Sequence, residues 1–178
     1  MLFRSPQIDG LFIGGGFPET RMDELEANSS MRQAIKTAID NGLPAYAECG
    51  GLMYLSRSLT WKNKSASMVG VIQADTVMHE APQGRGYIRL QESTLHPWAS
   101  QVASNKEIAG HEFHYSALEN IDPSLNFAYR ILRGSGIDGQ HDGIIYNNLL
   151  ACYAHLRDTR ANHWAGRFVD FIRQCKNR

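Results

Sequence analysis

The chain has 178 residues, of which 43% are hydrophobic and 20% are charged, and 18 lysines and arginines balance 18 aspartates and glutamates. This composition is typical of one globular domain or at most two small ones. The zero net charge argues against a nucleic-acid partner, because such proteins usually carry a basic excess. No apolar run reaches the ~18 residues that span a bilayer, which argues against a membrane protein. The first residues also lack the apolar core of a signal peptide.

The three cysteines, Cys49, Cys152 and Cys175, are an odd number and lack the spacing of a metal site. A disulfide framework is therefore not expected, and neither is a bound metal. A reducing, cytoplasmic location fits this cysteine content best.

The first third of the chain follows the rhythm of a parallel sheet with covering helices. The predicted elements are a strand at residues 9–14, a glycine-rich loop at 14–19, a helix at 22–39 with an interruption near 28–30, a helix stop at 41–42, a strand at 44–47 and the start of a helix at 52–55. Because the chain begins only a few residues before a buried strand, we expect either a small sheet or one that lacks a strand and a helix that belong in front.

The remainder predicts an additional antiparallel β region beside the main sheet, followed by a closing helix. Its predicted elements are strands at residues 68–78, 87–90, 108–116, 127–132, 143–146 and 149–154, a turn at 81–86, a flexible polar loop at 134–143 and an amphipathic helix at 164–175.

Residues 48–51 read Glu-Cys-Gly-Gly and lie between a predicted strand and a predicted helix. A strand that turns sharply into a helix is the geometry of a nucleophile elbow, and small residues must follow the nucleophile. The start of a helix favours the thiolate form of Cys49, and the N–H of Gly50 is placed to hold an oxyanion. The alternative is an ordinary buried cysteine.

A cysteine nucleophile needs a base close to it in space. His155 follows an apolar strand and so lies at a strand end, where sites of parallel sheets gather. A hydrogen-bonded structural histidine is the alternative. His111 and His114 form a second cluster, but in a strand they face opposite sides, which argues against one shared metal.

The glycine-rich loop at residues 14–19 lacks the spacing of a dinucleotide loop and the Gly-Lys-Ser/Thr ending of a phosphate loop. No ATP site is therefore expected in this chain. Three glycines after a strand allow backbone N–H groups to approach a ligand closely, and a turn that merely needs positive φ is the alternative.

The stretches at residues 9–19, 42–55, 110–116 and 147–156 resemble, in order and approximate spacing, the C-terminal glutamine amidotransferase domain of cobyrinic acid (cobyrinate) a,c-diamide synthases. That family belongs to the cobyrinate/cobyric acid synthase subgroup of the class I, or triad, amidotransferases. The resemblance implies a three-layer, flavodoxin-like α/β fold formed by one domain over residues 1–178.

The resemblance also implies a reaction. Such enzymes hydrolyse glutamine and pass the ammonia to a partner synthetase domain. That domain amidates the a and c acetate groups of cobyrinic acid, a tetrapyrrole, in cobalamin biosynthesis. ATP and Mg²⁺ serve the full-length enzyme, and this chain itself needs no cofactor.

By position, the resemblance makes Cys49 the nucleophile and His155 the general base. Gly15 and Gly16 match the loop that supplies oxyanion donors together with Gly50. The stretch containing His111, Glu112 and His114 is expected near an interface or on the substrate side.

Two departures from the family pattern bear on function. Typical class I enzymes place a glutamate two residues after the histidine, where this chain has Arg157; the subgroup lacks that glutamate as well. Glu48 and Glu112 are the candidates for orienting His155. The ATP-binding synthetase domain is also missing, so we expect a fragment, a truncated gene product or one part of a split enzyme.

Three alternatives follow from the sequence. The domain acts on a sirohydrochlorin-type ring instead, it is a non-catalytic remnant that serves as a docking module, or it is a cysteine hydrolase of another substrate.

Overall fold

A computed structural model describes residues 8–98 and 107–177 of the chain. In chain order these residues form β1 (Leu11–Ile13), a 3-10 turn (Pro18–Thr20), α1 (Met22–Ala27), α2 (Ser29–Asp40), β2 (Ala45–Glu48), α3 (Gly50–Leu55), β3 (Ser58–Trp61), β4 (Lys64–Ser67), β5 (Asp75–Met78), β6 (Gly84–Glu92), β7 (Glu107–His114), β8 (Ser116–Glu119), β9 (Asn126–Arg133), β10 (His141–Tyr146), β11 (Leu149–Cys152), β12 (His155–Leu156) and α4 (Trp164–Lys176).

Most of the strands belong to one mixed sheet of eight described strands, in the order β1-β2-β11-β10-β9-β6-β7-β12. The pairs β1–β2 and β2–β11 are parallel, and the other neighbours are antiparallel. A smaller sheet has the order β4-β3-β5-β8. The predicted α/β class is confirmed, although most of the antiparallel strands continue the main sheet rather than lying beside it.

The main sheet is curled, because β11 and β12 are third and eighth in its order although only residues 153 and 154 separate them. A trans chain advances at most ~3.6 Å per residue. A connection of two residues therefore requires the two parts of the sheet to lie close together. The curl brings the end of β11 next to β7, the strand with which β12 pairs.

Helices cover both faces of the parallel part of the sheet. Successive side chains of β2 point to opposite faces, so each face presents apolar groups to a helix. Ala45 and Ala47 pack in an apolar cluster with Ile39 of α2 and Leu52 of α3. Tyr46 points the other way and packs with Phe168 of α4. β2 and β11 are therefore buried on both faces, which explains their continuous apolar runs.

The predicted interruption of the first helix is present at Asn28. Its side chain accepts a hydrogen bond from the N–H of Met31 at 3.3 Å and caps α2. The predicted stop at residues 41–42 is also present, with Gly42 at φ +87°.

The structure differs from the sequence-based assignments in several places. Residues 68–74 are mostly buried but do not form a strand, because they wrap the end of α3. The N–H groups of Val69 and Val71 donate to the carbonyls of Tyr54 and Leu55. The hairpin of β3 and β4 was not predicted. The expected polar loop at residues 134–143 ends early, since β10 begins at His141.

Candidate active site

Cys49 occupies a sharp turn between β2 and α3. Its backbone has φ 47° and ψ −104°, a conformation that non-glycine residues rarely adopt and that clusters at functional sites. The side chain is buried, with 7% of its surface exposed. The predicted strand–turn–helix arrangement is therefore present at this cysteine.

The two glycines after Cys49 are required by close backbone packing. A Cβ on Gly50 would lie 2.5 Å from the carbonyl oxygen of Gly16, and a Cβ on Gly51 would lie 2.3 Å from that of Ile13. Both obstacles are backbone atoms, which cannot move aside as a flexible side chain can. The turn therefore presses α3 against the end of β1 and the loop that follows it.

His155 begins β12 and lies beside Cys49. The Cys49 side chain has the largest effect on the pKa of the His155 imidazole, and a hydrogen bond to Glu48 has the second largest. Its Nδ1 lies 3.2 Å from Oε2 of Glu48. The sulfur, the imidazole and the carboxylate therefore form one contiguous chain of polar groups.

These contacts raise the pKa of His155 to about 10, because hydrogen bonding to Cys49, and then to Glu48, favours the charged imidazolium. Burial opposes the change, since it penalises the charged form.

Glu48, rather than Glu112, contacts His155. Its Oε1 accepts hydrogen bonds from the hydroxyl of Tyr46 at 2.6 Å and from the N–H of Leu156 at 3.3 Å. These bonds fix the carboxylate, and its other oxygen faces Nδ1 of the imidazole.

Glu112 is directed elsewhere. Its oxygens accept hydrogen bonds from the N–H groups of Ser135 and Gly136, at 2.8 and 2.9 Å. Glu112 therefore holds the turn after β9 and does not orient His155.

The glycine-rich loop closes over the same place. A Cβ on Gly15 would lie 2.8 Å from Cε1 of His155, and the backbone of Gly16 lies against Gly50. The structure thus brings the three predicted glycines, the cysteine and the histidine together.

A cavity of about 320 Å³ opens at this cluster. It is lined by Gly15, Gly16, Phe17, Glu19, Cys49, Met53, Met78, His111, Phe113, His114, Tyr115, Ser116 and His155. Among the described residues, the lining contains one carboxylate and no lysine or arginine. A cavity of this size suits a small molecule. Its carboxylate, without lysine or arginine nearby in the lining, suits a positive group better than a polyanion.

The three residues of the 110–116 stretch differ in their surroundings. His111 is exposed and pairs with His155 across β7 and β12, with ring centroids 6.5 Å apart. Glu112 and His114 are buried, with 2% and 4% of their surfaces exposed. His111 and His114 alternate across the strand as predicted, and of the three residues only His111 is available for a surface contact.

Within residues 8–98 and 107–177, no group of three or more potential ligand side chains is arranged to hold a metal ion. No helix among these residues is long and apolar enough to cross a membrane.

Two features of the site were not predicted. Glu19, from the 3-10 turn, contributes the carboxylate of the cavity wall. Asp142, expected in a polar loop, is fully buried beside the residues that precede His155. The sequence Gln-His-Asp-Gly around it has the composition of a turn, so no local pattern distinguishes this buried carboxylate.

Comparison with solved structures places the fold among the glutamine amidotransferases. PurLQS from Thermotoga maritima matches with a TM-score of 0.66 and 14% identity, over 93% of this chain and 79% of that one. A structure described as a glutamine amidotransferase matches with a TM-score of 0.64 and 13% identity, over the same shares.

Sequence comparison identifies the family within the glutamine amidotransferases. The family of CobB/CobQ-like glutamine amidotransferase domains matches residues 4–162, and the chain belongs to this family. The cobyrinate a,c-diamide synthases of Magnetococcus marinus and Archaeoglobus fulgidus are 44% and 43% identical to it, over 95% and 93% of the chain. The chain spans 36% and 35% of the length of these relatives.

Proposed function

We propose that the chain hydrolyses glutamine through Cys49 and His155 and supplies the ammonia to a synthetase of the cobyrinate a,c-diamide synthase type. The observation that carries this proposal is the strained Cys49 turn, which meets His155 and the glycine loop in one small cavity. The family membership of the chain supports the same reaction.

In the first half of the reaction, the sulfur of Cys49 attacks the side-chain amide carbon of glutamine. The backbone N–H groups of Gly16 and Gly50 stabilise the oxyanion that forms on the amide oxygen. The imidazolium of His155 donates its proton to the amide nitrogen, the carbon–nitrogen bond breaks, and ammonia leaves a thioester on Cys49.

In the second half, neutral His155 accepts a proton from water. The resulting hydroxide attacks the thioester carbon, the carbon–sulfur bond breaks, and glutamate leaves. The γ-carboxyl proton of the product passes to the released ammonia, which leaves as ammonium. His155 then again carries its proton and Cys49 is again a thiolate.

Glu48 orients the histidine in this scheme. Nδ1 of His155 donates to Glu48, which directs the other ring nitrogen to the sulfur and the substrate. Glu48 precedes the nucleophile and thereby supplies the carboxylate that typical class I enzymes place after the histidine, where this chain has Arg157.

Glu19 suits the α-ammonium group of glutamine, because it supplies the one carboxylate among the described residues that line the cavity. The cavity does not suit ATP, since the described residues that line it include no lysine or arginine to bind a triphosphate. ATP and Mg²⁺ therefore belong to the synthetase part in our proposal. That part amidates the a and c acetate carboxylates of cobyrinic acid in the cytoplasm, in cobalamin biosynthesis.

Replacing the nucleophile tests the proposal. Cys49→Ala removes the sulfur, so we expect release of glutamate from glutamine to fall to background, at least ~10⁴-fold below the wild-type rate. Cys175→Ala is the matched control because Cys175 lies on α4, away from the cavity, and it should retain the wild-type rate. Unchanged hydrolysis by Cys49→Ala would overturn the proposal.

A further inference from the structure

The two residues before His155 form the bend on which its position depends. β11 ends at Cys152, paired with β2, and β12 begins at His155, paired with β7 at the far end of the sheet. Tyr153 and Ala154 make this change of partner. A small movement of their backbone would therefore move the imidazole away from Cys49.

The antiparallel ladder does not reach this bend. The last described pair of β10 with β11 is Ile144 with Ala151, and Gly143 follows with φ +74°. The N–H groups of Tyr153 and Ala154 thus lie beyond the regular strand pairing, in a buried place where an unpaired N–H is costly.

The side chain of Asp142 binds both of these N–H groups. Its Oδ1 accepts from Tyr153 at 3.0 Å and from Gly143 at 2.8 Å, and its Oδ2 accepts from Ala154 at 2.9 Å. Asp142 lies opposite Tyr153 if the β10–β11 register is extended. The carboxylate therefore replaces the strand pairing at the bend.

We propose that Asp142 is a positioning residue for His155, because its carboxylate fixes the Tyr153–Ala154 bend that holds the imidazole against Cys49. The inference rests on the Cys49–His155 pair of the proposed function. Asp142 touches neither residue and does not line the cavity. Its action is through the backbone that carries the histidine.

The cost of keeping Asp142 in the interior supports a dedicated role. None of its surface is exposed, and burial raises its pKa to about 6 in spite of the three N–H groups that stabilise the charged form. A carboxylate offers two oxygens on one rigid plane, which is what two successive N–H groups and a third from Gly143 require. A neutral side chain of the same size supplies fewer acceptors.

Tyr153 is held from its other end as well. Its ring stacks on His114 with centroids 3.8 Å apart, and its hydroxyl lies 2.9 Å from Oγ of Ser116. The side chain of Tyr153 is therefore fixed, and Asp142 fixes the backbone of the bend.

Asp142→Asn tests this role with little change of shape. An amide has one acceptor oxygen, so in either orientation its NH₂ group faces an N–H of the bend and leaves it unpaired. Thr76→Val is the matched control: Thr76 is equally buried and loses one hydrogen bond, to Ser56, in the small sheet. Both variants are made in a Cys175→Ser background.

The readout is the rate at which iodoacetamide alkylates Cys49, measured from pH 6 to 9 and corrected for the folded fraction by circular dichroism. We expect Asp142→Asn to react about tenfold more slowly at pH 7, with a rate that rises with pH like that of an ordinary thiol, whereas Thr76→Val follows the wild type. A folded Asp142→Asn protein with the wild-type profile would overturn the inference.

The assay uses no glutamine, so its failure is distinguishable from failure of the proposed function. If Asp142→Asn does not fold, NMR of the wild type tests the same point. The carboxyl carbon of Asp142, the amide of Ala154 and the ring of His155 are followed together from pH 4 to 8. The ionisable groups that interact with Asp142 are His114, Cys152, Tyr129 and Tyr153.

We expect the Ala154 amide and the His155 ring to follow the titration of the Asp142 carboxyl with the same midpoint. An Ala154 amide or a His155 ring that does not respond to that titration would overturn the inference.

Discussion

Two regions of the molecule are stabilised by different interactions. One is the edge of the main sheet where β2 ends at Cys49 and β12 begins at His155, and the other is the core beneath α2. At the edge, Cys49 adopts positive φ, and Glu48 and Asp142 are buried carboxylates with all their bonds directed at neighbouring backbone and side chains. The core around Ile39 is apolar and fully enclosed.

Because of this difference, we expect the core to determine mainly the stability of the protein and the edge to determine mainly its activity. Apolar packing contributes to the folded state in proportion to the area it buries, whatever the orientation of any one group. The edge is costly to form, because strain and buried charge oppose folding, and its arrangement serves the position of two side chains. Substitutions in the two regions should therefore change different measurements.

The largest effect on stability is expected in the core. Ile39→Ala removes a fully buried side chain and leaves a cavity, at a cost of about 2–5 kcal/mol in the free energy of unfolding. Urea denaturation measures this loss. The rate of glutamine hydrolysis per folded molecule should stay within twofold of the wild type, and a larger loss would mean that the two regions are coupled.

At the edge, Glu48→Gln is expected to lower kcat for glutamine hydrolysis about 10²-fold with a smaller effect on stability. The amide keeps the shape of the carboxylate but no longer favours the imidazolium of His155. Glu112→Gln is the matched control, since Glu112 is also buried but binds Ser135 and Gly136. Equal losses of kcat in the two variants would contradict the assignment of Glu48.

Replacing two glycines, Gly51 and Gly166, is expected to change the stability by smaller amounts and in opposite directions. Gly51→Ala forces a methyl group against the carbonyl oxygen of Ile13 and should destabilise the protein by about 1–3 kcal/mol. Gly166→Ala, within α4 and with open space around it, should instead stabilise the protein by about 0.5–1 kcal/mol. Thermal unfolding measures both, and a neutral Gly51→Ala would show that the elbow is less tightly packed than described.

The same two regions explain how far the sequence predicts the structure. The strand at residues 45–48 was recognisable because burial on both faces gives a nearly continuous apolar run. The strand at residues 11–13 was recognisable because all three residues are apolar, although Phe12 is 52% exposed. The strands of the β3–β4 hairpin have only four residues each, and β4 is mostly polar. Its turn places Lys62 at φ 55° without a glycine, so neither pattern nor turn chemistry predicts the hairpin.

The candidate site was predicted in part. The Glu-Cys-Gly-Gly stretch carries its own turn signal, and His155 follows an apolar strand, so both were identifiable. The choice between Glu48 and Glu112 depends on the strand register that places Glu48 beside Cys152, which no local pattern contains. Asp142 likewise depends on how β10 and β11 meet.

Covalent labelling with 6-diazo-5-oxo-norleucine, a reactive glutamine analogue, tests the central claim most directly. Mass spectrometry of the labelled, digested wild-type chain should locate about one adduct per molecule on Cys49. Excess glutamine should slow formation of the adduct on the wild-type chain. His155→Gln should slow it as well, in the absence of glutamine. An absent adduct, or one found on Cys152 or Cys175 instead, would contradict the assignment of Cys49 and His155 as the glutamine-hydrolysing pair.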